Sequence, residues 1–189
     1  GLYEFVSNGR VGYYAPGPKY LILGEMFDEQ KRNLTEERNA EILAKQIKTL
    51  PLKNALKIGN GPRQVVEITD PDCEFCRKAS EYFGKRKDLT RHIFLYPLPS
   101  HANSEAKIRY IFCAKDRVKA YEEVMAGKLD DMKFKACEGP QIDELVKAHK
   151  DFGERAGVRG FGAPIFMIDG RAVKGFKAEV MDKIFSEKK

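Results

Sequence analysis

Residues Val65 to Phe83, VVEITDPDCEFCRKASEYF, constrain this chain more than any other stretch. The apolar run Val65-Val66-Glu67-Ile68 reads as a buried strand, Asp70-Pro71-Asp72 as a turn, and Cys73-Glu74-Phe75-Cys76 as the start of a helix. Two cysteines separated by two residues at a strand-to-helix turn are the signature of a redox dithiol. Cys73 falls at the helix N-terminus, where unpaired N–H groups and the helix dipole favour an anion, so its thiolate is the expected nucleophile. Cys76, one turn later on the same face, is placed to attack a mixed disulfide and release the partner.

The same spacing is also half of a zinc knuckle. Structural zinc sites supply their ligands as compact pairs, and the two remaining cysteines, Cys113 and Cys137, lie far apart. The dithiol reading is therefore preferred, with no metal and no cofactor. Four cysteines form an even set, which suits an oxidising compartment. The sequence starts at Gly1 without a charged-then-apolar leader, so a secreted protein whose signal peptide is absent from this sequence is expected. The net charge of +6 comes from scattered lysines rather than a basic block. No aromatic-basic motif accompanies it, so nucleic acid is not an expected partner and the charge is assigned to solvated helix faces. No apolar run is long enough to span a bilayer.

At 189 residues the chain can hold one ordinary domain and a smaller one. Leu2 to Val6, Val11 to Tyr14 and Tyr20 to Leu23 are β-prone, separated by the hairpin signal Asn8-Gly9 and by Pro16-Gly17-Pro18. Three such strands bury too little surface to stand alone, and an unpaired edge suits pairing with a second copy. Thr35 reads as an N-cap. Ile42, Leu43, Ile47 and Leu50 then share a helical face up to Pro51, forming a connecting arm. Leu56 and Ile58 enter a strand, and Ile93 to Tyr96 form another. Strand, helix and strand in this order imply a right-handed crossover and a parallel pair, with the strand ends facing the dithiol. Asn103 to Gly127 reads as one long helix burying Ile108, Ile111, Phe112, Val118, Tyr121 and Val124, and Ile142 to Ala156 as another. Gly162-Ala163-Pro164 leads into Ile165 to Ile168, an Asp169-Gly170 hairpin, a strand at Ala172-Val173 and a closing helix over Val180 to Phe185.

This order is that of an α/β (α+β) thioredoxin fold with inserted helices. Beyond the fold, the chain resembles the DsbC/DsbG family of periplasmic disulfide isomerases. The resemblance rests on Tyr20 to Asp28 (YLILGEMFD), Thr69-Asp70-Pro71-Asp72-Cys73, Cys113-Ala114-Lys115-Asp116 with Val124-Met125-Ala126-Gly127-Lys128, and Gly162-Ala163-Pro164. It implies a shortened β-rich dimerisation domain over 1–34, a linker helix and connector over 35–58, and a catalytic domain over 59–189 with a helical insert at about 101–157. It implies a homodimer whose dithiols face a shared cleft. The chain departs from the best-known isomerase in its shortened N-terminal region, in Glu74-Phe75 between the cysteines where that protein has Gly-Tyr, and in Ala163 where it has Thr.

The resemblance also assigns roles. Pro164 is expected to be cis beside the dithiol, and Ala163 to offer its backbone to an extended substrate segment. Cys113 and Cys137 match the family's structural disulfide. Glu67 sits six residues before Cys73, where related oxidoreductases place a buried acid. It is expected either to take the proton of Cys76 or to be an exposed or salt-bridged residue. Asp70, Asp72 and Glu74 crowd the nucleophile with negative charge while Arg77 and Lys78 oppose them. A less stabilised thiolate than in the strongest oxidases is therefore expected. His101 follows the second strand and reads either as a residue on the active-site side or, preferably, as a solvated loop residue, and His92 and His149 carry no catalytic signal of their own. Phe75, Tyr96 and Phe161 are candidates for an apolar substrate rim or for core. The function expected is a thiol–disulfide isomerase acting on scrambled secreted proteins and kept reduced by a membrane thiol reductant of the DsbD type. The rivals are a monomeric dithiol oxidase or reductase, and a holdase chaperone with secondary redox activity.

Overall fold

A computed structural model describes residues 1–7 and 9–187, apart from the side chain of Phe161. The expected hairpin residue Asn8 lies outside the described set, while Gly9 has the positive φ of 76° that suits such a turn. Strands β1 (Tyr3–Ser7), β2 (Arg10–Ala15) and β3 (Tyr20–Ile22) form an antiparallel sheet in that order.

Helix α1 (Leu34–Lys48) joins this sheet to the rest of the chain. Asn33 caps it, accepting from the Glu36 N–H, two residues before the cap expected at Thr35. Thr35 faces inward instead, its hydroxyl 2.6 Å from that of Tyr13, and the Val11 N–H donates to Asn39 Oδ1 at 2.9 Å. The far half of the same helix buries Leu43 and Ile47 among Val66, Ile68, Phe94 and Phe152. α1 is thus packed at both ends, because its apolar stripe continues the core of the larger unit.

The second sheet runs in the order β4 (Leu56–Ile58), β6 (Leu89–Leu95), β5 (Arg63–Thr69), β7 (Ile165–Ile168), β8 (Arg171–Lys174). β5 and β6 are parallel and linked by α2 (Glu74–Gly84), as the crossover rule requires, and the other pairs are antiparallel. Asp169 and Gly170 both have positive φ, the geometry of a tight two-residue hairpin. Alternation along β5 sends Val66 and Ile68 toward α1, and Val65 toward Ala79 and Phe83 of α2 and toward α7 (Ala178–Ser186). Both faces of the sheet are covered.

Between β6 and β7 lie α3 (Ser104–Cys113), α4 (Arg117–Met125), α5 (Pro140–Arg155) and the short α6 (Val158–Phe161). The single helix expected over Asn103 to Gly127 is two. Asp116 takes extended dihedrals and accepts from the Lys119 N–H, starting a new helix and ending the old one. Of the inward positions expected there, Val118 is only half-buried and the others are buried.

Candidate active site

The end of β5 and the start of α2 place the two thiols. Cys73 is the N-cap of α2 and its sulfur accepts from the Cys76 N–H at 3.4 Å, so a backbone donor left open by the helix end is aimed at the thiolate. Cys76 is fully buried, and its sulfur accepts from the Asp70 N–H at 3.4 Å. Both thiols are free. The Cys73 thiol is lowered from 9.0 to about 6, first by the side chain of Cys76 and then by the N–H groups of Cys76 and Phe75, against the opposing effect of burial. Burial, and next the neighbouring Cys73, push the Cys76 thiol up. One sulfur is therefore a ready nucleophile at neutral pH and the other is held as a thiol.

The peptide bond Ala163–Pro164 is cis, and the Ala163 carbonyl oxygen lies 3.6 Å from Cys73 Sγ. This loop precedes β7, so the register of β7 against β5 brings it to the dithiol. Phe75 is 54% exposed next to the nucleophile, with the Lys78 ammonium 5.4 Å from its ring centre. Tyr96 belongs to the core: it is buried and its hydroxyl donates to Glu154.

Of the three acids expected to crowd Cys73, Asp70 is the one that acts against its ionisation. Glu74 is met by Lys78 at 2.5 Å. Asp72 is met by Arg77 at 3.2 Å and by the Lys107 ammonium. Asp70 is fully buried at the strand end, accepting from the N–H groups of Asp72 and Leu98. Of the two places expected for His101, it takes the active-site side rather than the preferred solvated loop. Its Nδ1 sits 3.1 Å from Asp70 Oδ1, and its side chain is 27% exposed.

Glu67 is fully buried, but Arg91 Nη2 donates to its Oε2 at 2.7 Å and the Tyr121 hydroxyl reaches Oε1 at 3.4 Å. The groups acting most on the Cys76 thiol are Cys73, Thr69 and Asp70. Glu67 is thus paired with Arg91, which the neighbouring parallel strand brings alongside it, matching the salt-bridged alternative. Cys113 and Cys137 form a disulfide with a Cα–Cα separation of 6.0 Å, tying the end of α3 to the segment before α5. His149 is buried, with Nδ1 accepting from the Leu95 N–H and Nε2 facing the Asn54 carbonyl at 2.9 Å. It is a structural strut. His92 is half-buried, with Nε2 3.2 Å from Gln64 Oε1.

Lys107 and Asp130 were not singled out by the sequence. A signal for Lys107 was present, since Ser104, Lys107, Ile108 and Ile111 fall on one helical stripe and all four are buried. Asp130 is held at about 2 by the Arg77 guanidinium and then by Lys107. Among the described residues, no group of three or more His, Cys, Asp or Glu side chains is placed to hold a metal ion. No helix among them is long and apolar enough to cross a membrane.

Residues 52–187 match the thioredoxin-like domain family, and residues 1–36 match the disulfide bond isomerase protein N-terminal domain. The chain is 30% identical over 176 residues to a protein of Bordetella avium named "Probable thiol:disulfide interchange protein DsbC", covering 91% of this chain and 61% of that one. It is 25% identical over 181 residues to the thiol:disulfide interchange protein DsbC of Escherichia coli K12, covering 94% and 73%. The chain spans 60% to 61% of the length of the Bordetella relatives. The crystal structure of a disulfide interchange protein from Neisseria gonorrhoeae superposes with a TM-score of 0.59 at 27% identity, over 72% of this chain and 96% of that one.

Proposed function

The chain belongs to the thioredoxin-like family, with DsbC-type relatives along both of its parts, and on that premise we propose that it is a thiol–disulfide isomerase of secreted proteins. The carrying observation is the pairing of an N-capping Cys73, poised as a thiolate beside the cis-Pro164 loop, with a buried Cys76 held as a thiol.

In this reading the Cys73 thiolate attacks one sulfur of a substrate disulfide. The substrate S–S bond breaks, a Cys73–substrate S–S bond forms, and the other substrate sulfur leaves as a thiolate. That thiolate attacks a second disulfide of the substrate, forming a new S–S bond and releasing another substrate thiolate, and the thiolate so released displaces Cys73 from the mixed disulfide, so no net electrons are consumed. If rearrangement stalls, Cys76 gives up its proton and attacks Cys73 Sγ. The substrate leaves reduced and a Cys73–Cys76 disulfide remains, which needs two electrons from a membrane thiol reductant of the DsbD type. Because burial opposes Cys76 ionisation, escape is slow relative to attack, which favours reshuffling over net reduction. Ala163 and Pro164 would dock an extended substrate segment beside Cys73, and Phe75 would supply an apolar contact.

The N-terminal sheet supports a homodimer. Tyr3, Tyr20 and Leu21 of the sheet and Leu23 just after it are 62%, 65%, 67% and 80% exposed, and among the described residues one edge of β3 has no strand partner. We assign 1–34 to dimerisation, 35–58 to a connector and 59–189 to catalysis, in an oxidising compartment such as the periplasm. Light scattering on the purified chain, run beside refolding of a scrambled multi-disulfide substrate, tests this. A dimer that restores the substrate supports the proposal. A monomer that exchanges thiols without unscrambling favours a dithiol oxidase or reductase. Full suppression of aggregation by Cys73→Ala, with unscrambling dispensable, favours a holdase.

A further inference from the structure

The helical insert reaches back to the turn before Cys73 through a cluster of four charges. From α3, the Lys107 ammonium binds the Asp72 carboxylate and lies 2.5 Å from Asp130 Oδ1, in the turn after α4. From α2, Arg77 donates Nε to the Pro71 carbonyl at 2.7 Å and its Nη groups to Asp130 at 2.6 Å and Asp72 at 3.2 Å. Two cations thus balance two carboxylates. Gly127 closes over the cluster with φ +76°, and a Cβ there would lie 3.1 Å from Asp130 Oδ2.

Lys107 is only 3% exposed. Burying an ammonium is costly, and an apolar residue would fit the stripe it shares with Ile108 and Ile111, so stability alone does not account for it. What the cluster holds is the turn. Asp72 is fixed through its carboxylate by Lys107 and Arg77 and through its N–H by Asp70, and Pro71 is fixed through its carbonyl. The next residue is Cys73. Resting on the dithiol reading above, we propose that Lys107 is a positioning residue for the thiol chemistry: from the helical insert it pins Asp72 and cancels that residue's charge beside the nucleophile. The insert is then more than a lid or spacer, since it sets the electrostatics of the redox centre. The other charges on the turn are placed differently, Glu74 against Lys78 and Asp70 against His101, and neither pair can stand in for Lys107.

Three variants test this on the full chain: Lys107→Met, Lys107→Arg and Asp72→Asn. The readouts are the pH dependence of Cys73 thiolate absorbance in the reduced protein and the dithiol–disulfide equilibrium against glutathione. Lys107→Met leaves one carboxylate uncompensated next to the nucleophile. The Cys73 ionisation constant should fall about threefold, a rise of about half a pKa unit. Losing that thiolate stabilisation disfavours the reduced form by the same factor, so the reduction potential drops by about 15 mV at roughly 30 mV per tenfold. Lys107→Arg should retain the parent values. Asp72→Asn removes the anion instead and should shift Cys73 in the opposite direction, which keeps the test alive if Lys107→Met does not fold. Lower thermal stability in Lys107→Met with unchanged Cys73 titration and potential would make the lysine merely structural and overturn the proposal. So would an Asp72→Asn titration identical to the parent. If the parent dithiol does not exchange with glutathione at all, the underlying dithiol reading fails instead.

Discussion

Replacing Cys76 by alanine asks how much of the reactivity of Cys73 comes from its partner. In the parent protein the Cys73 thiol stands at about 6 against an ordinary 9.0. At pH 7 roughly nine-tenths of it is thiolate, where an unperturbed thiol at that value would be about one per cent ionised. The side chain of Cys76 is the largest contributor to that lowering, ahead of the N–H groups of residues 76 and 75. Alanine at 76 deletes the side-chain contribution and keeps both N–H groups. The pKa of Cys73 should therefore rise by at least about one unit, equivalent to about 1.4 kcal/mol, leaving about half of the sulfur ionised at pH 7. Serine at 76 keeps a donor and should give back part of the loss. The assay is absorbance at 240 nm against pH, paired with the pH profile of alkylation by iodoacetamide. The same lowering makes a second mark on the reduced protein. Because the folded value lies below the unfolded one, this contribution to stability is full above about 9 and is lost as pH falls through about 6. The oxidised protein, with no titrating Cys73, lacks it. An alanine variant that still titrates near 6 would refute the role given to Cys76 and leave the helix N-terminus as the sole cause. A parent value near 9 would refute the electrostatic account of the site altogether. The expected value also sits above the roughly 3.5 of the strongest oxidases, in keeping with a milder couple.

Two buried side chains and the disulfide of the helical insert give further outcomes. Burial lowers His149 from 6.5 to about 4, so its contribution to stability is present above 6.5 and fades as pH drops toward 4. Urea unfolding at pH 7.5, 5.5 and 4.5 should show a loss approaching about 3 kcal/mol from this residue, and a His149→Phe variant with an equally steep profile would count against it. Glu67→Gln leaves Arg91 buried without its counter-charge and should lower stability by about 3 kcal/mol, with the Cys73 titration unmoved. A change in the pH dependence of Cys76 attack in that variant would restore a direct role in proton transfer. Converting both Cys113 and Cys137 to serine opens a loop with a sequence separation of 24, and chain entropy sets the cost at about 3 kcal/mol. Differential scanning calorimetry showing no fall in melting temperature would mean that the insert is held by its packing alone.

The dithiol site was legible in the sequence because most of its determinants are local. The strand, turn and N-cap that present Cys73 lie within a single short stretch, and the Asp169-Gly170 hairpin within another, each specified by neighbours along the chain, whereas the cis form of Pro164 was legible only through the family resemblance. Helix breaks were less legible. Asp116 can cap a helix or sit within one, and only the packing of Ile111 and Tyr121 into one core decides that the chain turns there. Least legible were the partners of the buried charges. Glu67 meets Arg91 because β5 and β6 pair in parallel with Glu67 opposite Ile93, and a shift of register would separate them. Lys107 meets Asp72 because α3 returns over the end of β5. Residue type alone established that these side chains are ionisable. Which opposite charge each would find depends on distances between segments far apart in sequence, and those are set only when the sheet and the helical insert close on one another.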